Sequence, residues 1–158
     1  MLPRQTYKTC LTLFMLFALG IVCAQAGVLT VKSNNANYGT VKIGSGTASG
    51  TVTSNVSSGQ KVTISATPKT GYKFTKWNDG NTTASRQITI SNNNNITYTA
   101  TFAINTYTLT IKTATNNTTQ GTVHFAGETA GATATKTVSH GSGFNILATP
   151  TGCYRFKQ

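Results

Sequence analysis

The feature that most constrains this chain is internal repetition. Val56 to Phe74 reads VSSGQKVTISATPKTGYKF, and Val138 to Phe156 reads VSHGSGFNILATPTGCYRF. Val, Ser, Gly, Ile, Ala-Thr-Pro, Tyr and Phe recur in place at a constant offset of 82 residues. Gly39-Thr40-Val41 returns as Gly121-Thr122-Val123 at the same offset, and Leu29-Thr30-Val31-Lys32 as Leu109-Thr110-Ile111-Lys112 at an offset of 80. Two small insertions account for the difference. A fixed period of this kind marks an array of one supersecondary unit. Repeat one runs from about Val28 to Phe102, Ala103 to Thr106 form a joint, and repeat two begins near Tyr107. In this register the sequence reaches Gln158 just before the counterpart of Trp77, the Asp-Gly turn and the closing strands. The expectation is therefore a leader over 1–26, a complete repeat over 27–103 and a truncated repeat over 104–158. A half repeat would leave strand edges unpaired, so the chain is expected to be a fragment, a truncated product or an incomplete gene model.

Each unit reads as strands. Ile96, Tyr98, Ala100 and Phe102 alternate with Thr97, Thr99 and Thr101. Tyr107, Leu109 and Ile111 alternate with Thr108, Thr110 and Lys112, and Val62, Ile64 and Ala66 with Lys61, Thr63 and Ser65. Alternation puts apolar groups on one face of a half-buried strand. β-Branched residues suit that pleated surface. Between the strands lie turn formers: Asn34-Asn35, Gly44-Ser45-Gly46, Ser57-Ser58-Gly59, Asp79-Gly80-Asn81, Asn92 to Asn95, Asn116-Asn117 and Gly141-Ser142-Gly143. Such residues tolerate the positive φ of tight turns. Asp79-Gly80 is the sharpest hairpin signal among them. No helical periodicity follows residue 27. The fold class expected is all-β: tandem small antiparallel modules, β-grasp-like or small sandwiches, preceded by a signal-peptide helix.

The first 26 residues follow a different grammar. Arg4 and Lys8 precede an apolar run from Leu11 to Cys23, and Ala24-Gln25-Ala26 forms an A-x-A site before Gly27. This is the pattern of a cleaved Sec-type signal peptide, with cleavage between Ala26 and Gly27. The apolar run is short of the roughly 20 residues that a membrane span requires. A retained anchor is a weaker reading. A lipoprotein cut before Cys23 is weaker still, because Val22 stands where a small residue is needed. Export places the product outside the cell or at its surface, with no stable membrane span after cleavage. Cleavage removes Cys10 and Cys23 and leaves Cys153 as a single thiol, so no internal disulfide can form.

Charged residues make up only 9% of the chain, against about 25% in an average soluble protein. Lys and Arg total 13, Asp and Glu 2, for a formal charge of +11. The basic excess favours acidic partners. The lysines are nevertheless spread out, as expected where they solubilise strand faces and blunt edges. No basic run or motif points to nucleic acid. The acids after the leader are Asp79 and Glu128, in different repeats, whereas a glycosidase normally needs a carboxyl pair. His124 and His140 stand apart from any Cys or carboxylate at ligand spacing. No Gly-x-Ser-x-Gly elbow is present. His140 aligns with Ser58 and reads as a tolerated turn residue. Catalytic, metal and cofactor sites are therefore expected to be none.

The run ATPKTGYKFTKWNDG, from Ala66 to Gly80, and the closing strand ending in Thr99-Ala100-Thr101-Phe102 resemble the divergent internalin B-repeat domain. Gly39, Val41, Ala66, Pro68, Gly71, Tyr72, Phe74, Trp77, Asp79, Gly80, Ala100 and Phe102 fit its pattern. Repeat two departs from it at Cys153, where a glycine is expected. The resemblance implies an extracellular bacterial module with a small antiparallel β-fold, acting in adhesion or as a structural spacer, without naming a ligand. The alternatives are a carbohydrate-binding module and an accessory region of a larger secreted enzyme. The residues themselves give Tyr72, Phe74 and Trp77 first as core. The functional alternative makes Tyr72 and Trp77 a stacking platform for sugar rings. With Lys73 and Lys76 they are the candidate ligand contacts. Partners to expect are cell-surface glycans, acidic polymers or host surface proteins. The oligomeric state is left open.

Overall fold

A computed structural model describes residues 26–114 and 116–156. The leader reading, apart from Ala26, lies outside the described residues. Repeat one contains β1 (Gly27–Ser33), β2 (Gly39–Ile43), β3 (Thr51–Val56), β4 (Lys61–Pro68), β5 (Tyr72–Trp77), β6 (Ser85–Thr89) and β7 (Ile96–Ile104). Repeat two contains β8 (Thr106–Lys112), β9 (Gly121–Phe125), β10 (Thr133–Ser139) and β11 (Ile146–Pro150). The described residues are all-β, as the alternation predicts.

Repeat one is built from two sheets. One has the order β3-β1-β7-β5 and the other β2-β4-β6. All pairings are antiparallel except β1 with β7, which run parallel with Leu29 beside Ile96 and Val31 beside Tyr98. The apolar faces of both sheets meet in one core: Leu29 and Val31 from β1, Val41 from β2, Val62, Ile64 and Ala66 from β4, Trp77 from β5, Ile88 from β6, Ala100 and Phe102 from β7, closed by Val56 and Ile90. This is the small-sandwich alternative. Burying each large apolar side chain contributes roughly 1.5–3 kcal/mol, and the alternating residues enter the core because successive strand side chains point to opposite faces. Phe74 packs edge-on against Phe102 at 5.9 Å, and Trp77 against Tyr98 at 6.4 Å.

Two devices seat β7. Gly39 is buried, and a Cβ on it would lie 2.5 Å from the Phe102 ring. A glycine is needed there because the ring occupies the space of a side chain. Asn34 then brackets the Phe102 backbone, its Oδ1 accepting from the N–H at 3.0 Å and its Nδ2 donating to the carbonyl at 3.3 Å.

Asp79-Gly80 forms a tight turn, with Gly80 at φ 85 and its N–H donating to the Trp77 carbonyl at 3.0 Å. It is not the hairpin that the dipeptide suggested. β5 pairs with β7 and β6 with β4, so the turn carries the chain from one sheet to the other. The local dipeptide fixes the reversal, while the apolar faces decide which strands pair. The joint is also narrower than the Ala103–Thr106 stretch expected: β7 continues to Ile104 and β8 starts at Thr106, which leaves Asn105 alone between them.

Repeat two reproduces half of this plan. β8 pairs with β10 as β1 does with β3, and β9 pairs with β11 as β2 does with β4. Val41 faces Ala66, and Val123 faces Ala148. The isolated bridge Val41–Ser49 returns as Val123–Gly131. At the departure from the family pattern, Gly152 rather than Cys153 adopts positive φ, at 61. The turn is kept by moving its glycine one position.

Candidate functional site

The four residues singled out from the sequence occupy β5, where side chains alternate between the core and the outside. Trp77 faces inward and is fully buried, with its indole N–H donating to the Thr83 carbonyl at 2.9 Å. It offers no free ring face. Lys73 and Lys76 are exposed. Tyr72 is half-buried and stacks on Tyr38, with ring centroids 4.5 Å apart and planes 15° from parallel. Backbone bonds hold that stack: Lys69 N–H donates to the Tyr38 carbonyl at 2.9 Å, and Tyr72 N–H to the Lys69 carbonyl at 3.0 Å. The structure therefore brings Tyr72 to a surface with Tyr38 and separates Trp77 from them, while Lys73, the next residue along β5, projects from the opposite face. The sequence reading missed Tyr38, since it lies far along the chain in the loop before β2.

Next to this surface is the joint. Asn105 donates its N–H to the Gly71 carbonyl at 2.8 Å and accepts the His140 N–H at its own carbonyl, also at 2.8 Å. Its side-chain Nδ2 donates to the Tyr72 carbonyl at 3.4 Å. Gly71 sits at φ 84, and a Cβ on it would lie 2.2 Å from the His140 ring. The His140 ring lies 6.3 Å from that of Tyr107. One residue of linker thus contacts both repeats. From the sequence His140 reads as a tolerated turn residue; its departure from Ser58 at the aligned position is the signal that marks it.

Both carboxylates after the leader are engaged. Asp79 pairs with Arg86, whose guanidinium lies 5.9 Å from the Trp77 ring centroid and 5.2 Å from that of Tyr98. Desolvation pushes the Asp79 carboxyl up, but the Arg86 hydrogen bond and charge and the Asn81 N–H outweigh it, so its pKa falls below the ordinary value. Glu128 pairs with Lys136 at 2.6 Å, and the same ammonium lies 5.6 Å from the Phe125 ring. Among the described residues no group of three or more His, Cys, Asp and Glu could hold a metal ion. Cys153 is an exposed free thiol. The chemistry available at the surface is stacking from the tyrosines and attraction of anions by the lysines.

A two-sheet module that starts again after a single linking residue defines a tandem β-repeat protein. Residues 29–106 match the family model of the divergent InlB B-repeat domain, so repeat one belongs to that family. The family is a non-catalytic repeat domain found in bacterial surface and secreted proteins. Neither the curated proteins nor the solved structures gave a match.

Proposed function

We propose that this protein is a non-catalytic extracellular module of a bacterial surface or secreted protein, acting as a structural spacer in an adhesive or display array. The observation that carries this reading is the joint at Asn105. Three hydrogen bonds and the His140–Gly71 contact tie the repeats together, and neighbour-only contact is how solenoid-like arrays gain length and stiffness. The family match supports the extracellular setting, and the A-x-A pattern ending at Ala26 supports export. The test is small-angle scattering on the full chain beside a variant with a six-residue Gly/Ser insert after Asn105. A stiff spacer gives a single extended dimension that the insert broadens. If the unmodified chain already scatters like the insert variant, the spacer reading falls.

A second reading is favoured by the Tyr38–Tyr72 stack, which the backbone of the exposed residue Lys69 holds in place. An aromatic face in a basic chain suits an acidic glycan. On this reading Tyr72→Ala abolishes binding on an array of acidic glycans while the circular dichroism spectrum is unchanged. Equal array binding by the variant rejects it.

A further inference from the structure

Residues 78–84 carry the chain from β5 to β6, and Asn78 to Thr83 are all exposed. Within this connection lies Asn81-Thr82-Thr83. Asn-x-Ser/Thr is the acceptor pattern for an Asn-linked glycan, and it belongs to surface loops of exported proteins. In a chain rich in Asn and Thr the pattern also arises by chance. It occurs at Asn55, Asn81, Asn95, Asn116 and Asn117. The structure separates these five. Asn55 lies within β3, next to buried Val56. Asn95 Oδ1 accepts the Val28 N–H at 3.0 Å, and β7 begins at the next residue. Asn116 Oδ1 accepts the Thr133 hydroxyl at 2.7 Å. In Asn117-Thr118-Thr119 the hydroxyl that the pattern requires is turned onto Asn117 Oδ1 at 2.6 Å. At Asn81 the arrangement is different. Buried Trp77 holds the backbone from the core side: its main-chain N–H donates to the Asn81 carbonyl at 2.8 Å, and its indole N–H to the Thr83 carbonyl at 2.9 Å. Asn81 Oδ1 accepts the Thr83 N–H at 2.8 Å. Among the described residues neither Asn81 Nδ2 nor the Thr83 hydroxyl enters a hydrogen bond.

We propose that Asn81 is a glycan acceptor, modified after export by a transferase whose donor is an oligosaccharide linked to a lipid diphosphate. The inference rests on the extracellular reading above. An amide nitrogen is a poor nucleophile, because its lone pair is delocalised into the carbonyl. The Thr83 N–H on Asn81 Oδ1 counters this, since a hydrogen bond to that oxygen favours the imidate left when Nδ2 gives up a proton. In the transfer a bond forms between Nδ2 and the anomeric carbon of the sugar. The bond from that carbon to the diphosphate oxygen breaks, and the diphosphate leaves with the electron pair. One Nδ2 proton passes to a base of the transferase. Nothing is oxidised or reduced. Thr83 supplies the hydroxyl by which the pattern is recognised, and the Asn81–Thr83 hydrogen bond closes the three residues into one turn. The turn is fastened to Trp77 through main-chain groups and the indole, so the acceptor side chains are offered to solvent without any cost to the core. A glycan here adds hydrated bulk at the corner between the two sheets.

The test is mass spectrometry of the protein isolated from the medium, surface and cytosolic fractions of the bacterium that makes it. Trypsin cuts after Lys76 and Arg86 and releases Trp77–Arg86, WNDGNTTASR. In exported protein this peptide should carry an added oligosaccharide mass, which fragmentation that spares the glycan places on Asn81. Variants expressed in the same bacterium sharpen the result. Asn81→Gln and Thr83→Ala should each lose the mass, and Thr83→Ser should keep it. Thr83→Ala retains the main-chain bonds of the turn, so its circular dichroism spectrum and thermal midpoint should match those of the parent chain freed of glycan, and loss of the mass then reports the hydroxyl rather than the fold. A bare peptide from exported protein overturns the proposal and leaves the extracellular reading standing. A chain found only in the cytosol overturns both. A mass carried by Thr82 or Thr83, or one that persists on Asn81 in Thr83→Ala, also overturns the proposal.

Discussion

Repeat one and repeat two carry the same letters in very different surroundings. Ile64 is fully buried and Ile146 is 53% exposed; Phe74 is half-buried and Phe156 is 65% exposed. The two strand pairs that the repeats share nevertheless keep one register, down to the bridge between the second strand and the loop that follows it. Local pattern therefore determines which strands pair, whereas burial depends on partners supplied from elsewhere. Repeat two makes partial amends. Phe125 and Phe144 stand where repeat one has Ile43 and Val62, and their rings meet edge-on at 5.7 Å. Among the described residues of repeat two, Val123 and Phe125 are the buried apolar side chains. Phe125 is fully buried there, while Phe144 stays 41% exposed.

The hardest test of this contrast is a matched pair of truncations. Ile64→Ala removes buried methyl and methylene groups and leaves a cavity, so it should cost about 2–5 kcal/mol. Ile146→Ala should stay within about 0.5 kcal/mol, as surface changes usually do. Urea unfolding of the full chain, followed by Trp77 fluorescence for repeat one and far-ultraviolet circular dichroism for both, reads the two effects. Equal costs at the two positions would mean that Ile146 is covered in solution and that the repeats are alike.

A second test addresses the joint where the two meet. Gly71→Ala places a side chain at φ 84 and into the His140 ring. The backbone strain alone is about 1–3 kcal/mol, and the overlap adds to it. In the double variant with His140→Ala the overlap is relieved and the strain remains, so part of the loss, and only part, should return. Full additivity would show that the repeats do not touch at this point.

The strands were legible in the sequence because alternation is a local signal. Trp77 and Phe74 could be assigned to a core because large apolar groups lie close together there. Three things were not legible. The parallel pairing of β1 with β7 joins residues far apart in the chain, and no dipeptide encodes it. Asp79-Gly80 announced a reversal and was read as a hairpin, since turn chemistry carries no information about which sheet receives the next strand. The stack of Tyr38 on Tyr72 depends on a loop folding back against β5, so only Tyr72 could be named beforehand. Gly39 was visible as part of a motif, but its reason, the Phe102 ring lying against it, appears only in three dimensions.

The smallest expected effect concerns the acid of repeat one. Asp79 has a folded-state pKa below the ordinary value of about 3.9, near which the unfolded chain protonates. Its contribution is therefore fully present above the unfolded pKa and is lost as pH falls through the lowered folded one. The carboxylate is substantially exposed, at 40%, so solvent screening limits the effect to about 0.2–1 kcal/mol. Asp79→Asn should then lower stability by that amount at pH 6 and by progressively less as the pH drops below 4. Glu128 is present in both proteins, so the difference isolates Asp79. Arg86 decides how the result is read. Its guanidinium also rests near the Trp77 and Tyr98 rings, an arrangement that survives loss of the carboxylate. A difference that does not change with pH would show that these rings, rather than Asp79, hold Arg86 in place.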